Sequence, residues 1–121
     1  MRSSLPRIPS PDNSSHELTV SRILSTLLSQ LSQHYQERLD QVILFGSYAR
    51  GEATSDSDID ILVILEEPVD ATTELQQTSE LVAELCLEHN VLISRLFLSR
   101  SRYETENSPL LNNIRREGVL L

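Results

Sequence analysis

Lysine is missing from this 121-residue chain, and all ten basic residues are arginine. A mechanism that needs an amine, such as Schiff-base chemistry or a P-loop lysine, is thereby excluded. Arginine offers instead a planar fork suited to two-point contact with phosphate or carboxylate. Tryptophan is absent too and aromatics reach only 4%, so Leu, Ile and Val must fill the core. The single cysteine, Cys86, rules out an internal disulfide and with it a disulfide scaffold. It lies in the amphipathic run Leu81 to Leu87, which favours a buried structural thiol over a nucleophile. No apolar run approaches the ~20 residues that a bilayer span requires. Residues 1–15 carry Arg2 and Arg7 without an apolar stretch, so they do not read as a secretory signal. Cytoplasmic residence is the expectation. Positive charge is scarce as well, with 18 acids against 10 bases and a net charge of −8. Nucleic-acid binders draw much of their affinity from neutralising phosphates. Neither nucleic acid nor a membrane is therefore expected as a direct partner.

What remains fits one small domain. Met1 to Ser15 is rich in Ser, Pro and Asp, too polar to offset its ordering entropy, and reads as a disordered tail. The domain proper then runs over 16–121. Apolar residues at 20, 23, 24, 27, 28 and 31 recur at helical spacing and predict an amphipathic helix over 18–39, capped by Asn13 or Ser15. Gln41 to Phe45 is a short apolar run stopped by Gly46, a buried strand, and Ser47 to Gly51 reads as a turn or two of helix. Asp58 to Leu65 is a second strand. Its period of two sets Asp58, Asp60, Leu62 and Ile64 on one face and Ile59, Ile61, Val63 and Leu65 on the other. A helix over 71–89 follows, its Glu74, Glu80, Glu84 and Glu88 read as a solvated face. Asn90 turns the chain into a third strand, Val91 to Leu98. A serine-capped short helix over 99–106 and a helix from Pro109 to Arg116, with Gly118 just past its end, complete the chain. The fold class is α/β (α+β), a small three- to four-stranded mixed sheet flanked by helices.

Chemistry concentrates in Gly46 to Asp60. A strand delivers the chain to Gly46, where the missing side chain lets a ligand approach the backbone. Ser47 stands at a helix start, whose free N–H groups favour an anion such as phosphate. On the next strand, Asp58 and Asp60 project to the same side. Two carboxylates that close are costly unless a cation sits between them and phosphates. Hard oxygens of this kind suit Mg²⁺, which typically uses one or two protein carboxylates and completes its shell with water and substrate phosphates. A Gly-Ser turn alone is usually a turn, and a lone Asp-x-Asp is often merely solvated. Joined across ten residues, with apolar strands on both sides, they describe a nucleotide-handling centre.

The segment GSYARGEATSDSDIDILV resembles the signature of the nucleotidyltransferase superfamily related to DNA polymerase beta: Gly-Ser, a gap, then Asp-x-Asp. The chain is also similar to the minimal nucleotidyltransferases paired with HEPN-domain proteins in prokaryotic toxin–antitoxin operons, over roughly residues 18–118. That resemblance implies that Gly46 and Ser47 hold the triphosphate of ATP and that Asp58 and Asp60, the catalytic pair, bind Mg²⁺. It further implies that the chain adds AMP to a hydroxyl, a tyrosine above all, of a HEPN ribonuclease toxin with which it forms a hetero-oligomer. Arg50 falls beside the phosphate loop and is a candidate for the triphosphate, or else a surface arginine paired with Glu52 or Asp56. Asp56 itself reads as a turn residue.

One departure from the family pattern stands out. Many members carry a third carboxylate on the next strand, yet Val91 to Leu98 contains no Asp or Glu, only Ser94 and Arg95. Glu88 would reach in only through a tight turn at Asn90. A domain that silences its partner by occlusion, without turnover, is the alternative this departure leaves open. Transfer to a small molecule is less expected, because so short a chain leaves little room for a second acceptor pocket. His16, His34 and His89 share no ligand spacing and read as surface positions. Arg115 and Arg116 complement the dipole of the last helix.

Overall fold

The computed structural model describes residues 14–121, so the tail expected over 1–13 and the cap proposed at Asn13 lie outside it. Helix α1 spans Ser14–Tyr35 and therefore includes Ser14 and Ser15, two residues assigned above to the tail. It is followed by a 3₁₀ turn, Gln36–Arg38, and strand β1, Leu39–Phe45. The long helix thus ends four residues before Leu39, where the chain turns through Gln36 at a positive φ of 54°. Then come α2 (Ser47–Arg50), β2 (Ile59–Leu65), α3 (Ala71–His89), β3 (Ile93–Ser99), α4 (Arg100–Thr105), α5 (Pro109–Glu117) and β4 (Val119–Leu120). The fourth strand is a two-residue edge piece, too short for periodicity to signal.

The sheet runs in the order β3-β2-β1-β4. β1 pairs antiparallel with both β2 and β4, while β2 and β3 are parallel. A parallel pair needs a crossover, and α3 supplies it. Asp70 starts that helix by accepting from the amides of Thr72 (3.1 Å) and Thr73 (3.3 Å). Asn90 ends it in the left-handed conformation, φ 54° and ψ 50°, one of the few non-glycine residues that tolerates it.

The period-two reading of β2 divides the interior into two cores. Ile59, Ile61, Val63 and Leu65 join Val20, Ile23, Leu24, Leu27 and Leu31 of α1 and Val82 and Leu85 of α3 in the larger core. Leu62 and Ile64 face the other way, onto Ile43 and onto Leu111 and Ile114 of α5. Both faces of β2 are closed along most of its length, which explains its nearly continuous apolar run. Cys86 is half-buried on the larger core. Burying each Leu or Ile stabilises the fold by about 1.5–3 kcal/mol.

One expectation needs correction. Glu74 is not on a solvated face: it is 4% exposed. Tyr35 donates its hydroxyl to Glu74 Oε1 at 3.0 Å, and Arg38 Nη2 reaches Oε2 at 3.3 Å. A buried carboxylate must be paired, and sequence spacing alone does not reveal partners that arrive from the end of α1 and the 3₁₀ turn after it. Glu80, Glu84 and Glu88 are exposed as expected. Among the described residues no helix is long and apolar enough to cross a membrane.

Candidate active site at the start of β2

Gly46 leaves β1 with φ 78° and ψ −154°, a conformation essentially reserved for glycine. A Cβ built there would stand 3.2 Å from Asp60 Cγ and closer still to Oδ2. The Asp60 carboxylate therefore lies across the bare backbone of Gly46. Helix α2 begins immediately, so Ser47 and the first amides of the helix, which have no partner within it, sit beside that carboxylate. Gly51, left-handed at φ 73°, closes the single turn, and Glu52 N–H donates back to the Ser47 carbonyl at 2.9 Å. A tight turn follows: Thr54 N–H donates to Ser57 Oγ at 2.8 Å and Ser57 N–H to the Thr54 carbonyl at 3.0 Å. Asp56 lies in this turn, its amide 3.3 Å from Thr54 Oγ1, as the sequence suggests. Asp58 is exposed and immediately precedes β2 rather than opening it, and the first amide of the strand, Ile59 N–H, donates to the Leu92 carbonyl at 2.9 Å.

Asp60 is half-buried, and its carboxyl is held above the ordinary range, first by burial and then by the charge of Asp58, with Arg50 opposing. The two aspartates, two residues apart at the start of β2, thus sense each other. Arg50 is exposed and held by carboxylates: its Nε donates to Glu52 Oε1 at 3.0 Å, and Nη1 lies 3.8 Å from Glu117 Oε1. Its expected pairing with Glu52 is present, and its field still reaches Asp60.

On β3 the position in register with Asp60 is Ser94, which is exposed. Arg95 alternates to the opposite face, where its Nε donates to Thr78 Oγ1 at 3.0 Å and its Nη2 to the Leu75 carbonyl at 2.9 Å. Glu88 does not reach in. Its side chain is mostly exposed, 3.8 Å from His89 Nε2, and Asp58 is the carboxylate that raises Asp60.

The profile of the nucleotidyltransferase domain family matches residues 24–115, which span this loop, both aspartates and most of the sheet. The chain belongs to the nucleotidyltransferase domain family. A relative from Methanocaldococcus jannaschii, provisionally named a protein adenylyltransferase, is 30% identical over 102 residues, covering 84% of this chain and 98% of its own. A crystal structure of a nucleotidyltransferase, so named provisionally, from Sulfolobus solfataricus superposes with a TM-score of 0.62 at 19% identity, covering 88% of this chain and 85% of that one. A toxin–antitoxin complex solved with AMP-PNP superposes at 0.55 and 22% identity, over 77% of this chain and 68% of that one. At such identities the two structures speak for the fold.

In this nucleotidyltransferase, no three His, Cys, Asp or Glu side chains among the described residues converge into a self-sufficient metal cage. Two carboxylates do fit a hard cation whose shell is completed by water and phosphate oxygens. The Asp60 carboxyl is raised first by burial and second by the charge of Asp58, and a cation beside the pair would offset both.

Tyr48 and His16 were not foreseen from the sequence. Tyr48, 2% exposed, lies beneath the loop, its hydroxyl 2.6 Å from His16 Nε2 and 3.4 Å from the Thr54 carbonyl. His16 is thus not a free surface group: it ties α1 to the Gly46–Asp58 loop. Two residues so far apart in sequence give no periodic signal.

Proposed function

We propose that this nucleotidyltransferase moves AMP from ATP to a hydroxyl of a partner protein, a tyrosine of a HEPN-type ribonuclease toxin, and so acts as a cytoplasmic antitoxin. The observation that carries the reading is the Asp60 carboxylate lying across Gly46, with Asp58 beside it and Ser47 at the adjoining helix start. A triphosphate resting on the Gly46 backbone and the Ser47 hydroxyl would bring its phosphates against both aspartates. Asp58 and Asp60 would hold Mg²⁺, which when bound neutralises charge on the phosphates. The acceptor oxygen bonds to the α-phosphorus, the bond from that phosphorus to the bridging oxygen breaks, and pyrophosphate leaves with the electron pair. The residues contribute position and fixed charge, the two terms that dominate phosphoryl chemistry.

The sequence of β3 bears on the acceptor. With Ser94 in register with Asp60, no carboxylate on that strand stands ready to take the proton. A tyrosine hydroxyl, of ordinary pKa about 10, gives up its proton to water far more readily than a serine hydroxyl does. A tyrosine acceptor is accordingly the one this site suits. The provisional names of the Methanocaldococcus relatives support a protein as the acceptor of AMP, and the toxin–antitoxin complex among the fold neighbours supports a toxin as that protein.

A second reading, occlusion without turnover, is favoured by that same missing carboxylate. Labelled ATP tests the chemistry. Label at the α-phosphate should appear on the partner and label at the γ-phosphate should not. Absence of α-label, or transfer of γ-label, would overturn adenylyl transfer.

A further inference from the structure

We propose that the cleft between the Thr54–Asp58 turn and the Asn90–Leu92 turn is the docking surface for a basic segment, carrying an apolar side chain, of the protein that receives the nucleotidyl group. The proposal rests on the transfer reading above. The cleft, about 310 Å³, is lined by Ser55, Asp56, Ser57, Asp58, Asn90, Val91 and Leu92. It adjoins the candidate site directly, since Asp58 belongs to both.

Its lining sets Val91 and Leu92 against polar and acidic side chains. Leu92 is 66% exposed, and Leu87, just before the Asn90 turn, is 84% exposed. Leu92 lines the cleft and offers an apolar contact there, while Leu87 stands on α3 outside the lining. The rim is acidic: Asp56 and Asp58 line one wall, and Glu84 and Glu88 are exposed on the end of α3 that leads into the other.

The charge of the chain is distributed to match. Residues 51–94 hold eleven of the eighteen carboxylates and none of the ten arginines. Of these, Glu66, Glu67 and Asp70 lie past the far end of β2 and Glu52 pairs with Arg50; the charges at the cleft are Asp56, Asp58, Glu84 and Glu88. Such a field raises the encounter rate with a basic partner and repels acidic ones, nucleic acid included. An apolar anchor set inside a charged rim is also the arrangement in which interface energy concentrates.

Position supports the same occupant. The strand order puts the Gly46–Ser47 loop, at the end of β1, and the cleft, at the start of β3, on opposite flanks of the start of β2. In an in-line displacement the attacking hydroxyl and the leaving pyrophosphate lie on opposite sides of the α-phosphorus. A triphosphate held at Ser47 leaves the β3 flank to the acceptor.

The test uses the full chain without nucleotide and three synthetic peptides of equal length: alternating Arg-Tyr, Arg-Gly and Glu-Tyr. Amide NMR shifts should move at 55–58 and 87–92 with Arg-Tyr, which should bind roughly tenfold tighter than Arg-Gly. Glu-Tyr should not bind, and raising salt from about 0.05 to about 0.5 M should weaken Arg-Tyr at least ~tenfold. Leu92→Ser and the double variant Glu84→Arg/Glu88→Arg should each lose roughly fivefold in peptide affinity while leaving ATP binding unchanged. Shifts centred elsewhere, or equal binding of Glu-Tyr, would overturn the proposal. So would displacement of the peptide by ATP with ATP-induced shifts at 90–92, because the cleft would then belong to the nucleoside. Because peptide binding is read without catalysis, its failure leaves adenylyl transfer standing. Conversely, loss of transfer with peptide binding intact would count against the activity alone.

Discussion

Asp60 and Gly46 share one space: a methyl group on Gly46 would occupy the volume that the Asp60 carboxylate fills. The relationship ties the backbone just past β1 to a candidate site residue on β2. Gly46 also holds φ 78° with ψ −154°, where other residues are strained by roughly 1–3 kcal/mol.

Gly46→Ala should therefore cost about 3 kcal/mol of stability, because strain and collision add. Gly51→Ala, which meets only an ordinary left-handed φ of 73°, should cost about 1 kcal/mol. Urea unfolding of both variants checks the difference. A Gly46→Ala variant no worse than Gly51→Ala would mean that Asp60 does not sit across the glycine.

The pair Asp58/Asp60 makes a prediction about pH. The Asp60 carboxyl is raised in the folded chain by burial and by Asp58, so the unfolded chain gives up its proton first. Between the ordinary Asp value and that raised value the folded state binds more protons, and stability falls as pH rises through the window. Asp60→Asn should accordingly melt higher than wild type at neutral pH in metal-free buffer. The advantage should vanish below the ordinary Asp range. Calorimetric melts at neutral and acid pH, with a chelator present, read both. An equal or lower melting temperature at neutral pH would contradict a carboxyl raised by burial and by Asp58.

Much of this was legible beforehand, and the reason is local. The alternation along Asp58 to Leu65 correctly divided Ile59, Ile61, Val63 and Leu65 from Leu62 and Ile64, because a half-turn per residue leaves its mark on composition. Asp70, Ser99, Pro109 and Gly118 marked helix ends through capping chemistry carried within a few residues. Glu74 and His16 were misread as solvated for one shared reason. Their partners, Tyr35 with Arg38 and Tyr48, lie more than 30 positions away along the chain, and pairing over such distances leaves no periodic trace. Strand β4 escaped because two residues are too few to show a period. In the candidate site, spacing singled out Gly46, Ser47, Asp58 and Asp60, and the folded chain sets Asp60 against Gly46, whereas the pairing of Arg50 with Glu117 needed the folded chain.

Ser94 offers a gain-of-function prediction. It is exposed and in parallel register with Asp60, so a carboxylate placed there would stand beside that aspartate. Ser94→Asp should raise the rate of AMP transfer by ~tenfold or more, toward the range typical of an added general base. It should also push the Asp60 carboxyl higher, by a second like charge. Initial rates of α-label incorporation compare the variant with wild type. A rate left unchanged, in a variant that still binds ATP, would show that proton removal does not limit the reaction.

Intact mass spectrometry of the partner protein, after incubation with ATP, Mg²⁺ and only a trace of this chain, tests adenylyl transfer most directly. Turnover predicts that a large excess of partner gains the mass of AMP, stays inactive once this chain is removed, and gains nothing when Asp58→Asn/Asp60→Asn replaces wild type. A partner of unchanged mass, inhibited only by an equal amount of this chain and active again after separation, would contradict transfer and establish occlusion.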